Sequence, residues 1–442
     1  MIIKDLTIII GQSTYKFNFK ISIMFICSNC GYKSLKWIGR CPNCQEWETL
    51  IKEDEMKIET NNQNVEIKKL KDLEYIKEER LISNINEFDR VVGGGILKGS
   101  LILMGGDPGV GKSTIALQLA SRFKSLYISS EESLNQVLSR AKRIGINNDN
   151  VYIVCESNLD RILNNLNESF DLIVIDSIQT IYSDEIPSSP GSVSQIKTCA
   201  YKLLKVSKSS NTAILIIAHI TKEGEISGPK LLEHIVDVVL YMETNEANLR
   251  ILRSYKNRFG PTNEIGIFEM TEKGLKEVNK PENYFISDIN YAKPSIARSI
   301  ILEGLRPLIV EVQSLIVRTY YPTPIRNSTG YDIRRLNMIL AVIEKYLNIK
   351  LRNYDIHVNI VGGIRVSDQA IDLAVALSII SGYKNFPLNP KLVYIGEIGL
   401  TGDIHKVFLM DLRKSEAKRL GFEIYENKKT LIDTYKDIFE NF

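Results

Sequence analysis

The sequence predicts an α/β protein built on a parallel sheet, with a metal-binding module before it and a mixed α+β segment after it. Three observations predict this class. Short apolar runs alternate with helically spaced segments from Leu101 to Ala218. A glycine-rich loop with a phosphate-binding pattern falls between the first of these runs and the helical segment after it. Four of the six cysteines crowd between Cys27 and Cys44.

Composition sets the outer limits. Of 442 residues, 44% are hydrophobic and 25% charged, which suits a globular chain with filled cores and excludes wholesale disorder or a fibre. The longest apolar runs, of which Ala213–Ala218 is typical, fall far short of the ~18 residues that span a bilayer, so no membrane role is expected. Lys+Arg 56 against Asp+Glu 53 leaves +3, too little to indicate a nucleic-acid partner by itself. Any phosphate-binding surface must come from local arrangement. The clustered cysteines read as a metal site in a reducing, cytoplasmic compartment; Cys155 and Cys199 stand apart and read as buried fillers.

In chain order, residues 1–23 precede a second methionine, Met24, and hold the apolar patch Ile8–Ile10 without the architecture of a signal peptide. Within residues 24–50, Cys27-x2-Cys30 and Cys41-x2-Cys44 each form a tight turn that points two thiolates at one place, and two such turns build a tetrahedral zinc site. Gly31 and Gly39 lie where positive φ is often required. Residues 51–75 form a charged linker. From 76 to 280, Leu101–Met104, Leu126–Ser129, Val151–Val154, Leu172–Ile175 and Ala213–Ala218 read as strands buried on both faces. Asp237–Met242, Leu249–Ser254 and Glu264–Met270 read as strands without intervening helices. Residues 281–442 mix strands with amphipathic helices such as Leu336–Tyr346.

Gly106, Asp107, Pro108, Gly109, Val110, Gly111, Lys112 and Ser113 satisfy G-x4-GK-[ST], after a strand and before a helical segment. Backbone N–H groups in such a loop wrap a β-phosphate, and the helix start adds its dipole. Lys112 then reaches the β- and γ-phosphates of ATP, Ser113 meets Mg²⁺, and Thr114 completes the nucleotide-binding run. Asp176 ends an apolar strand and is placed near Mg²⁺ at the same sheet edge. Glu131 and Glu132 follow another strand there; one of them polarises the attacking water, or both are simply acids favoured in the first turn of a helix. His219 ends a strand too, and reads equally as a γ-phosphate sensor or a satisfied buried histidine.

Taken with the zinc module and the phosphate loop, the string Lys256, Asn257, Arg258, Phe259, Gly260 resembles the bacterial RadA/Sms family over residues 24–425. Glu87–Gly95, Ser189–Val193, Gly228–Lys230 and Val361–Gly363 belong to the same resemblance. It implies a RecA-like P-loop ATPase core, a hexameric ring and a Lon-protease-like C-terminal domain. It further implies a DNA-dependent ATPase that drives branch migration in recombinational repair, acting on single-stranded and branched DNA beside a RecA-type recombinase. Similarity to RecA-type cores makes Glu131 the water-activating residue. Lys256 and Arg258 become positive residues that reach a neighbour's ATP. Segments Thr180–Lys197 and Thr221–His234 become channel loops, with Lys197, Lys222 and Lys230 as DNA contacts and Tyr182 as a stacking residue.

Against the Lon pattern, Ala370 stands where the serine nucleophile belongs and Asp411 where its lysine belongs, so the domain is expected to be proteolytically inactive. Arg318, Arg334 and Arg335 are further candidate DNA contacts. Because the family usually begins just before the first cysteine, residues 1–23 read as a non-native upstream extension. The stretch after Asp403 is expected to be abbreviated. An ATP-dependent protease is disfavoured by Ala370 and Asp411, and a clock- or signalling-type ATPase by the zinc module and Lys256–Gly260.

Overall fold

The computed structural model describes residues 3–10, 13–20, 25–34, 36–52, 69, 71, 78–147, 149–219, 232–245, 247–262, 264–287, 292–426 and 428–440. Lys222, Lys230, Met24 and most of the 51–75 linker lie outside them. The chain forms two compact units. One holds Met1–Leu81, Ile96–Pro108 and Ala116–Val239; the other holds Ile82–Gly95, Gly109–Ile115 and Leu240–Phe442. No helix among the described residues is long and apolar enough to cross a membrane.

In the first unit, five strands lie parallel in the order Val151–Cys155, Ser125–Ser129, Leu172–Asp176, Ala213–Ile217, Leu101–Gly106. The order is not sequential, and parallel pairing requires crossover connections between the strands. Register pairs Asp176 with Ser129, Ile175 with Ile216, and Ile217 with Met104, so the chain leaves these strands at one common edge. Leu103, Ile128, Ile173, Ile175, Ile214 and Ile216 share a core with Ile196, Cys199, Ala200 and Leu203 of the helix Val193–Ser210. That helix is capped at its start by Ser192, whose side chain accepts from the Gln195 N–H, and ends at Asn211 in the left-handed region.

Val151–Cys155 departs from expectation. It is outermost in the sheet, its side chains are half-buried to exposed, and Cys155 is exposed instead of being a buried filler. An edge strand has a neighbour on one side only, so alternate apolar residues do not guarantee enclosure. Cys199 is fully buried. The strands Ile3–Ile10 and Ser13–Lys20 pair antiparallel within the segment read as an upstream extension.

The second unit contains the antiparallel strands Leu249–Asn257, Ile265–Thr271 and Gly274–Glu277. A four-stranded sheet follows in the order Ile296–Glu303, Arg306–Arg318, Tyr354–Ile360, Arg326–Thr329, only the last pair being parallel. The helix Ile333–Leu347 buries Leu336, Ile339, Leu340 and Ile343 at helical spacing. The helix Asp372–Lys384 is buried from Asp372 to Ser381 on every side. Inside this unit the Arg298 guanidinium lies 3.0 Å from the Glu311 carboxylate, both removed from solvent. Beyond Asp403 the chain still forms the helices Met410–Leu420 and Leu431–Phe439.

Candidate functional site

The four cysteines converge: their sulfurs all lie within 4.8 Å of one another, with Cys27 and Cys44, and Cys30 and Cys41, at 3.5 Å. Tetrahedral Zn–S bonds of ~2.3 Å separate sulfurs by ~3.8 Å, so this donor set fits zinc closely. The two turns are built alike. Cys27 O accepts from Gly31 N–H and Cys27 N–H donates to Tyr32 O, both at 2.9 Å. Cys41 O accepts from Gln45 N–H and Cys41 N–H donates to Glu46 O, again at 2.9 Å. The left-handed residue in each turn is therefore Gly31 (φ +73°) and Gln45 (φ +59°). Gly39 was expected in that role; its φ is not positive, and a Cβ there would meet Trp37 at an ordinary 3.7 Å.

The phosphate-loop segment leaves the buried strand Leu101–Gly106 and enters the helix Lys112–Ala120. Asp107 is half-buried, Pro108 and Gly109 are exposed, and Val110, Lys112 and Thr114 are buried. Val110 O accepts from the Arg250 guanidinium at 3.0 Å, fixing the loop's turn. Gly111 has φ +117°, and a Cβ on it would sit 2.7 Å from Met270 Cε, so only glycine fits.

At the common strand edge of the first unit, Asp176 ends its strand nearly buried. The Tyr127 hydroxyl donates to Asp176 Oδ2 at 2.5 Å, and Arg140 lies 4.0 Å from the same oxygen. Burial, then the Asp176 carboxylate, pushes the Tyr127 phenol well above its ordinary pKa, keeping it a donor. The two adjacent acids part company here. Glu132 is engaged by Arg140, whereas Glu131 accepts from the Ser177 hydroxyl and lies 3.6 Å from His219 Nε2. His219 is partly exposed, and its carbonyl accepts from Gln179 Nε2 at 3.1 Å. No motif announces Tyr127, Ser130, Arg140 or Ser177; strand register brings Tyr127, Ser130 and Ser177 to these carboxylates, and the helix Leu134–Arg143 brings Arg140.

In the second unit the strand Leu249–Asn257 delivers the Lys256–Gly260 string. Lys256 is half-buried and Arg258 exposed. Asn257 and Gly260 serve the fold: Asn257 donates to Val92 O at 3.2 Å and accepts from Phe259 N–H at 2.9 Å. A Cβ on Gly93 would come 3.1 Å from Gly260 Cα. Glu87, in the stretch Glu87–Gly95 that also holds Val92 and Gly93, is buried and binds Ile267 N–H at 2.8 Å and the Arg306 guanidinium.

Of the candidate nucleic-acid contacts, Lys197 is exposed on the helix Val193–Ser210. Tyr182 is half-buried, its backbone tied to Ser157 O and Leu159 N–H at 2.9 and 2.8 Å. Arg318 is exposed. Arg334 is exposed and bound to Asp332 at 3.0 Å. Arg335 is half-buried and holds the fully buried Asp372 carboxylate, because a charge removed from water needs a counterion. Ala370 is 1% exposed among Ile300, Ile309 and Val393, while Asp411 is wholly exposed.

Residues 25–52 match the rubredoxin metal binding domain family and residues 66–225 an AAA domain family. The DNA repair protein RadA of Halalkalibacterium halodurans is 44% identical over 414 residues, covering 90% of this chain and 91% of its own. That of Bacillus subtilis is 43% identical over 422 residues, covering 91% and 92%. That of Rickettsia bellii is 46% identical over 412 residues, covering 90% and 91%. Likeness at this level along nearly the whole of each chain is family membership. The chain thus belongs to the RadA family of DNA repair proteins, with an AAA domain and, at residues 25–52, a metal binding module of four cysteines.

Proposed function

We propose that the protein is a DNA-dependent ATPase of recombinational repair, a cytoplasmic hexameric ring that drives branch migration on single-stranded DNA beside a RecA-type recombinase. The observation that carries this reading is the phosphate loop leaving a buried strand at the sheet edge where Glu131 and Asp176 also emerge. Gly106 to Thr114 hold ATP, with Lys112 on its β- and γ-phosphates. Ser113 and Asp176 would hold Mg²⁺, which would supply charge neutralisation at the phosphates. Glu131, held by Ser177, orients the attacking water. Lys256 and Arg258 reach a neighbouring subunit's nucleotide, which ties hydrolysis to assembly. Lys197, Lys222 and Lys230 contact DNA. The division proposed is a zinc module at 24–50, a linker at 51–75, an ATPase domain at 76–280, and a Lon-like domain at 281–442. The last is proteolytically silent; a buried alanine supports this.

The test is ATP turnover with and without single-stranded DNA at two salt concentrations, with Lys112→Ala beside the native chain. Stimulation that fades with salt, and turnover abolished in Lys112→Ala, support the motor. Turnover indifferent to DNA would sink its DNA dependence.

A further inference from the structure

We infer that Ser177 is a positioning residue for the water-activating glutamate. This rests on the assignment of Glu131 proposed above. Ser177 is fully buried, and its hydroxyl donates to Glu131 Oε1. The serine backbone is itself clamped. Its N–H donates to Ser130 Oγ at 3.1 Å. The Ser130 hydroxyl also lies 3.0 Å from Ser177 O and 2.5 Å from Thr180 Oγ1. Thr180 Oγ1 is 3.2 Å from Ser177 O, and Ser130 N–H donates to Asp176 O at 2.9 Å. Three hydroxyl side chains therefore lock the two strand ends that carry Glu131 and Asp176 into one arrangement.

The Glu131 side chain has solvent on one side and three freely rotating bonds; unheld, it samples many rotamers. Held at Oε1 by a buried donor, it presents Oε2 in a defined direction, 3.6 Å from His219 Nε2. A group that activates water gains most from such restriction, because a displacement of ~1 Å costs up to ~100-fold in rate. Ser177 acts on turnover through Glu131 and not by touching nucleotide.

Four proteins test this: native, Ser177→Ala, Glu131→Gln and the double variant, assayed for single-turnover ATP hydrolysis, KM and binding of trinitrophenyl-ATP. Ser177→Ala should lower turnover about 10–50-fold with KM and analogue affinity within about twofold. In the Glu131→Gln background the same substitution should cost less than about twofold, since the group it positions is gone. Ser177→Thr, which keeps a hydroxyl, should recover most of the loss. An equal loss in both backgrounds overturns the inference, as does native turnover in Ser177→Ala. Loss of analogue binding in Ser177→Ala also overturns it, showing that the hydroxyl holds the fold and not the carboxylate. If Glu131→Gln keeps native turnover, the assignment of Glu131 fails first, and the inference fails with it.

Discussion

Replacing Arg335 by alanine should destabilise the C-terminal part of the chain instead of weakening a nucleic-acid contact. Asp372, at 0% exposure, accepts from the Tyr331 hydroxyl at 2.6 Å, from Ile398 N–H at 3.1 Å, and from Arg335 through Nε at 3.1 Å and through a terminal nitrogen. Burial, then the Asp372 charge, raises the Tyr331 phenol well above its usual range, so it remains a donor. Removing one partner of a buried ion pair costs about 3–5 kcal/mol. With two neutral donors remaining, the lower end, about 3 kcal/mol, applies here. Arg335→Lys keeps the charge but loses the two-pronged grip and should cost about 1–2 kcal/mol. Arg334→Ala, at an 88% exposed side chain, should leave stability essentially unchanged, because an exposed ion pair is screened by water. Both tryptophans, Trp37 and Trp47, lie in the zinc module, so their fluorescence is blind to this change. Urea-dependent hydrogen exchange of the helix Asp372–Lys384 is the suitable assay. An Arg335→Ala protein that protects this helix like the native one while binding DNA less tightly would refute the reasoning.

Metal removal should change the count of reactive thiols in a defined way. With zinc bound, only the exposed Cys155 should react quickly with a thiol reagent; after chelation five should react, and all six only on unfolding. Burial pushes the Cys199 thiol up to about 12, which keeps it silent in the folded chain. Rapid reaction of the zinc-module cysteines before chelation would disprove the site. Ala370→Ser should yield no casein digestion, since the new hydroxyl would lie in an apolar core and position 411 offers an exposed aspartate instead of a lysine. Peptide products from that variant would overturn the silent reading of the domain.

Much of this was legible in the sequence because it is local. Chemistry confined to a few consecutive residues, such as the paired cysteines or the phosphate loop, shows itself as spacing. Strands buried on both faces show as continuous apolar runs, and four of the five parallel strands are of that kind. The exception, Val151–Cys155, looked the same in sequence, because edge and centre differ only in what lies alongside. The second zinc turn misled for a related reason: glycine marks positive φ, but Gln45 adopts it under hydrogen bonds from both ends of its turn.

The division between the two levels runs through the candidate site itself. Sequence alone determined the family, the zinc ligands, the phosphate loop and the acids worth considering. Tertiary structure decided what each of the two adjacent acids meets, because Glu132 pairs with Arg140 while Glu131 accepts from Ser177, 46 residues away. It likewise decided that Arg335 serves Asp372, 37 residues on, while its neighbour Arg334 faces water. Such pairings depend on register and on which face of a helix is enclosed, and those are settled by the packing of distant segments, not by the order of neighbours along the chain.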